Sequence, residues 1–295
     1  MFDFIAYPLG QFLYYIYSTV ALHNYGFAII IFTIIIRLIL LPLTIKQYRS
    51  AAKMQEIQPQ IQEIQKRYKN DKEKLNQELV KLYQENNINP AGGCLPILIQ
   101  MPILISLYWV ITQPLKFMLN KTPDQITKLV DYVSGKVGAA AMGYSKEIGV
   151  IDYFNAHRDE LLSFADMLKP EELVNMQFLG INLSKIATYQ PKLLFGPEAG
   201  TYLPLLLLPV IGVITTYIST RMTMPQTNQN SGQANASASM TNSMMYVGPI
   251  MTLIFSFQLP AGVVLYWIAG YVFQIFQQLY LNKYVIKKKK EVVTK

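Results

Sequence analysis

The sequence is poor in the residues that soluble enzymes use for chemistry. A single cysteine, Cys94, allows no disulfide within the chain. The two histidines, His23 and His157, are far apart, and no metal-ligand spacing is present. There is no phosphate-cradling glycine-rich loop, no nucleophile elbow and no HExxH pattern. Charge is scarce as well: 15% of residues are charged, against 52% hydrophobic. That balance excludes an ordinary soluble domain and describes an all-α chain that crosses a membrane several times. The expectation is a protein that is not an enzyme, with no catalytic residue, no cofactor and no metal.

What the sequence does have is a long apolar run, Phe27–Ile45, reading FAIIIFTIIIRLILLPLTI. As a helix it would reach roughly 28 Å, about the hydrocarbon thickness of a bilayer. Arg37 lies inside it. Burying that charge costs from ~2.5 to more than ~10 kcal/mol, depending on how much water it can draw in. The other apolar runs, Cys94–Gln113, Tyr202–Met224, Met244–Gln258 and Gly262–Asn282, contain no Asp or Glu to pair with it. Arg37 must therefore snorkel to the interface, bond backbone carbonyls or face a wet cavity. Ile45 lies eight positions after Arg37, and that distance weighs against snorkelling. Thr33 and Thr44, on the same helical face, favour the cavity.

Basic residues set the expected topology. Between Ile45 and Pro90 the chain carries Lys46, Arg49, Lys53, Lys66, Arg67, Lys69, Lys72, Lys74 and Lys81, which marks a cytoplasmic segment and an outer N-terminus. Met54, Ile57, Ile61, Ile64 and Tyr68 recur at helical spacing, as do Leu75, Leu79 and Leu82 after Asn70-Asp71. Residues 46–92 thus read as a cytoplasmic helical hairpin, with Pro59 kinking or restarting its first helix. The net charge of +8 arises largely from residues flanking spans, so it argues for topology and anionic lipid rather than nucleic acid. Residues 1–26, aromatic and without Lys or Arg, read as an interfacial outer helix, with a sixth span as the alternative.

The expected organisation follows. Residues 27–45 form the first span, 93–113 the second, 202–224 the third, 244–258 the fourth and 262–282 the fifth. Residues 114–201 form an extracytoplasmic loop in which nine basic and ten acidic residues balance. In it, Asp124–Val133 and His157–Leu168 are expected as amphipathic helices of a cap. Gly212, Thr215, Thr216, Ser219 and Thr220 line one side of the third span, either as a small-residue packing seam or as a polar groove wall. Residues 225–243 carry no charge and read as a flexible cytoplasmic linker. Residues 283–295 form a basic cytoplasmic tail containing Lys283, Lys287, Lys288, Lys289 and Lys290.

Several stretches together are specific. NYGFAIIIFTIIIRLILLPLT around Arg37, KMQEIQPQIQEIQKRY, NPAGGCLPILIQMPI, FLGINLS at Phe178–Ser184 and FQLPAGVVLYWI at Phe257–Ile268 resemble the YidC-type membrane protein insertases, in that family's order. The short N-terminus resembles the small bacterial form, which lacks a large outer domain. The early lipidated cysteine common in such proteins is missing, and Thr122–Met176 is longer than in the members compared. The resemblance implies a multi-pass protein of the bacterial plasma membrane, with a groove open to cytoplasm and lipid. Its lining would include Arg37, Thr33, Gln100, Tyr266 and Trp267. It also implies nascent membrane proteins as clients, with the ribosome, the signal recognition particle pathway, the general secretion channel and anionic lipid as further partners, and no sequence-specific nucleic acid.

Two rival classes use the same residues. An anion channel or small-solute transporter would take Arg37 as its binding charge, but no internal repeat of broken helices is visible. An assembly factor that only chaperones spans needs the same groove, and the sequence does not separate it from an insertase.

Overall fold

The structure, a computed structural model, describes residues 3–87, 95–223 and 236–283. It is helical apart from one small hairpin. The chain divides into two compact units: Met1–Arg37 with Ile103–Ile275, and Leu38–Pro102 with Phe276–Lys295.

In the first unit, α1 (Asp3–Thr19) buries Ala6, Gly10, Leu13, Ile16 and Tyr17. It presses on the short helix α7 (Pro114–Phe117): a Cβ on Gly10 would sit 2.4 Å from the Phe117 carbonyl oxygen. The Gln11 amide donates to the Phe117 and Met118 carbonyls at 2.9 and 3.0 Å, which fixes the register. A turn with Leu22 and His23 at positive φ ends α1. Asn24 then caps α2 (Tyr25–Ile39) by accepting the Phe27 N–H at 3.1 Å.

The first apolar run is not one uninterrupted helix, as expected for 27–45. It breaks at Leu40, and α3 (Leu41–Glu56) begins afresh with Pro42 in its first turn. A continuous helix would have forced the Pro42 ring against the Leu38 carbonyl.

In the second unit, α4 (Gln58–Arg67) carries Pro59 in its first turn, where its missing N–H costs nothing. Asp71 caps α5 (Lys72–Glu85) by accepting the Lys74 N–H. A small core of Ile57, Ile61 and Leu82, flanked by Met54, Ile64, Leu79 and Tyr83, holds α4 to α5. Six of the eight apolar positions whose spacing predicts the helical pair are in it; Tyr68 and Leu75 are not, and Tyr83 joins. The segment 88–94, with Asn89, Pro90 and Cys94, lies outside the described residues. The next helix, α6 (Leu95–Thr112), contains Pro102.

Between α6 and the third apolar run lies the segment expected as a cap, and it has its own helices. α8 (Pro123–Val137) starts with a capping box in which Thr122 and Gln125 satisfy each other's backbone N–H groups. Ser145 caps α9 (Lys146–Ala156). The helix expected over His157–Leu168 is only α10 (Arg158–Leu161) plus a 3₁₀ turn; the longer helix precedes it. Leu129, Val133, Ile151, Phe154, Leu161 and Val174 join Leu13, Tyr17 and Tyr25 in one continuous core.

The FLGINLS stretch forms a two-stranded hairpin, β1 (Gln177–Phe178) and β2 (Ile181–Asn182), pairing Phe178 with Ile181. Its loop residues Leu179 and Gly180 are both left-handed. The hairpin and the residues just after it lock two helix starts. Phe178 occupies the space beside Gly26, where a Cβ would lie 2.2 Å from its ring. The Ala261 and Gly262 N–H groups donate to the Lys185 and Leu183 carbonyls at 2.8 and 3.1 Å, satisfying orphan donors of the last helix.

After α11 (Pro191–Leu194) and α12 (Ala199–Tyr202) come α13 (Leu207–Thr223), α14 (Ala236–Ser256) and α15 (Ala261–Leu281). α14 begins at Ala236, inside the stretch 225–243 expected as a linker; residues 225–235 are outside the described ones. The tail from residue 284 onward is outside them too. Among the described residues, Ala199–Thr223 and Ala261–Leu281 are each long and apolar enough to cross a membrane. Tyr25–Ile39 and Leu41–Met54 qualify as a bent pair, and Met101–Thr112 and Met245–Ser256 are shorter apolar helices. The fold is that of a multi-pass helical membrane protein.

Candidate functional site

The expected site residues fall in different surroundings. Arg37 is in the last turn of α2 and half-buried. Its guanidinium lies against the backbone of α15 at Gly270: a Cβ there would be 2.9 Å from Nη2 and 3.7 Å from Cζ. The guanidinium reaches α15 because position 270 has no side chain. No ion pair among the described residues includes Arg37.

Thr33, one turn before Arg37, is fully buried, and its hydroxyl donates to the Ile29 carbonyl at 2.6 Å. Tyr266 and Trp267 precede Gly270 by four and three residues, which puts them one turn away on its side of α15. Tyr266 is buried, while Trp267 is half-buried and edge-on to Phe255 at 6.0 Å. Their spacing places Tyr266 and Trp267 one turn before the Gly270 position that Arg37 touches. Gln100 lies in α6 upstream of Pro102, and its side chain is outside the described residues. Sequence reasoning missed Gly270. Its signal was present: a glycine inside an otherwise bulky apolar helix marks close approach of another group.

The small-residue side of α13 is a packing seam against α14. Gly212 faces Thr252, with its Cβ position 3.2 Å from the Thr252 methyl. The Thr216 and Thr252 hydroxyls are 3.1 Å apart, and Gly248 meets Thr216 and Thr220. Thr215, half-exposed, donates to the Ile211 and Gly212 carbonyls. Of the two readings for this stripe, close helix contact is the one these distances describe.

Charge in the cap is handled differently. Lys121 reaches Glu172 at 2.7 Å and Lys185 reaches Asp152 at 2.6 Å. Glu160 accepts from the Tyr132 and Tyr153 hydroxyls at 2.6 and 2.9 Å. Those two hydrogen bonds hold its carboxyl below the usual range. Glu147 is buried, and its carboxylate accepts the Lys116 N–H at 3.0 Å. Burial nonetheless pushes its carboxyl up to about 7, against the opposing effect of the backbone donors. No group of three or more His, Cys, Asp or Glu suited to a metal exists among the described residues.

Comparison with known proteins gives a consistent result. The sequence profile of the family described as "60Kd inner membrane protein" matches residues 15–289. A membrane protein insertase YidC from Clostridium perfringens is 33% identical over 258 residues, covering 88% of this chain and 78% of its own. One from Oceanobacillus iheyensis is 31% identical over 270 residues, covering 90% and 77%. A crystal structure titled as an active YidC insertase with its first transmembrane domain resolved is 23% identical, with a TM-score of 0.48, over 96% of this chain and 47% of that one.

Proposed function

Because the chain belongs to the 60Kd inner membrane protein family, we propose that it is a membrane protein insertase that receives client spans beside Arg37 and releases them into lipid. The observation that carries this reading is a cation within an apolar helix, with no ion-pair partner among the described residues, laid on a bare glycine backbone. A cation held there lowers the cost for a short polar or acidic client segment to enter the bilayer. The apolar part of the client then moves into lipid, favoured by roughly 25 cal/mol per Å² of apolar surface removed from water. The scheme needs no nucleotide hydrolysis.

In this reading five spans enclose a hydrated groove open to cytoplasm and lipid. Arg37 supplies the charge, and Tyr266, Trp267 and Gln100 line the path. Thr33, with its hydroxyl already engaged, holds the helix that presents Arg37. The N-terminus is outside and the C-terminus cytoplasmic. The α4–α5 pair receives the client or its carrier in the cytoplasm, because its small core leaves it free to move.

The test is reconstitution. Purified protein in liposomes, offered a newly made one-span client, should yield a protease-protected client fragment well above that of protein-free liposomes. Equal protection in the two preparations would sink the proposal. Leakage of small anions without client insertion would move the assignment to a channel.

A further inference from the structure

Two leucines in the first unit are placed where neither backbone nor side chain favours leucine in water. Leu22 is 86% exposed and Leu179 is 80% exposed. Both have positive φ, 51° and 49°. That region disfavours any residue with a Cβ, and short polar residues tolerate it best. The hairpin turn Leu179-Gly180 carries leucine where such turns favour Asn or Asp.

The two leucines belong to one patch. The Asn24 side chain donates to the Gln177 carbonyl at 3.0 Å, and the Tyr25 N–H to the Asn175 carbonyl at 3.2 Å. The Phe27 and Phe178 rings meet edge-on at 5.3 Å. The 20–24 turn and the β1–β2 turn are thereby tied together at the start of α2. Val20 and Phe27 are exposed beside them.

The chemistry of the patch selects its occupant. No Lys, Arg, Asp or Glu occurs in residues 18–36 or 173–184. The patch also continues the exposed stripe of α2, where Phe27, Ile34 and Leu38 recur at helical spacing on one face. In a membrane span an exposed apolar stripe meets hydrocarbon. Its extension past the helix start reaches the boundary between acyl chains and headgroups.

We propose that Leu22 and Leu179 are membrane fingers: they insert into the leaflet on the cap side and seat the cap on the bilayer at the mouth of the first span. Lipid relieves the first cost, because the exposed side chains gain an apolar medium, and that gain offsets the backbone strain of carrying leucine at positive φ.

The test places single nitroxide labels at Leu22→Cys and Leu179→Cys in a Cys94→Ser background, in phosphatidylethanolamine–phosphatidylglycerol vesicles. Val210→Cys, on the exposed face of α13, serves as the lipid reference, and Lys128→Cys in the cap as the aqueous one. Labels at both leucines should relax with dissolved oxygen like Val210 and be at least severalfold less accessible than Lys128 to a water-soluble nickel chelate. Chelate accessibility equal to Lys128 overturns the proposal. Shielding from both reagents, lost as the lipid-to-protein ratio rises, also overturns it and assigns the patch to a second copy of the chain. The outcome is independent of insertase activity, so its failure leaves the proposed function standing.

Discussion

In the cap, Lys121 and Glu172 meet at 2.7 Å with their side chains 12% and 26% exposed, and Lys185 and Asp152 meet at 2.6 Å. In α2, Arg37 lies on Gly270, and no carboxylate among the described residues is within ion-pair reach. The cap pairs these two embedded lysines with carboxylates, while Arg37 has no ion-pair partner among the described residues. A paired charge whose partner is always present serves the fold. A charge held against bare backbone is costly unless water or a client completes it. The paired charges of the cap serve the fold, and in the proposed function Arg37 is the charge that meets the client.

Removing Arg37 tests that division most severely. Arg37→Ala is expected to lower client insertion about tenfold or more, at equal protein abundance, while Arg37→Lys retains much of it. Protease protection of the client in liposomes checks both. Insertion by the Ala variant at the unmodified rate would erase the distinction.

Moving the charge without removing it gives a smaller effect. Gly270→Leu fills the space 2.9 Å from Nη2 and displaces the guanidinium. Insertion should fall severalfold, with Gly270→Ala between the two. A Leu variant as active as the original would mean that the position of Arg37 against α15 is unimportant.

Two cap substitutions should leave insertion unchanged and alter stability alone. Glu147 titrates near 7 in the fold, above the ordinary 4.5. The folded cap thus binds a proton that the unfolded chain releases across that interval. The contribution of this one group to stability is greatest below about pH 4.5, falls as pH rises toward 7 and levels off above, by up to roughly 3 kcal/mol. Glu147→Gln should flatten this slope and raise the melting temperature at pH 8 more than at pH 5; a parallel profile would show that burial does not govern the group. Lys121→Met, which strips Glu172 of its partner, should cost about 1–3 kcal/mol, less where water reaches the carboxylate. Thermal unfolding in detergent measures it, and an unchanged melting point would place the cap's ion pairs with the inert surface ones.

Much of this was legible in the sequence, and what was not has identifiable physics. Arg37 announces itself as the one charge in Phe27–Ile45. The α4–α5 core follows from Ile57, Ile61 and Leu82, because helical periodicity survives without knowledge of the rest of the chain. The break at Leu40 was readable from Pro42, but hydropathy outweighed it. α9 was signalled by Ser145 followed by Lys-Glu-Ile, yet the charged run after His157 looked equally amphipathic. The polar first turns of α14, ASASMTNS, resemble a linker by composition; they are helical because extending an existing helix is easier than starting one. The contact of Arg37 with Gly270 depends on helix packing, which no local pattern encodes.

The hairpin that holds Gly26 also fixes a timetable. The Asn175 N–H donates to the Tyr17 hydroxyl across 158 residues of chain, and Phe178 fills the gap beside Gly26. At ~5–20 residues per second, a ribosome completes the second partner roughly 8–30 s after the first. For that interval α1 and the start of α2 wait with an open socket. The last helix then docks its first two N–H groups on Leu183 and Lys185, just past the hairpin. Assembly thus converges on one loop, so a translational pause just before residue 175 would leave α1 and the start of α2 unlocked, and release there would close the hairpin on them before the last helix is made.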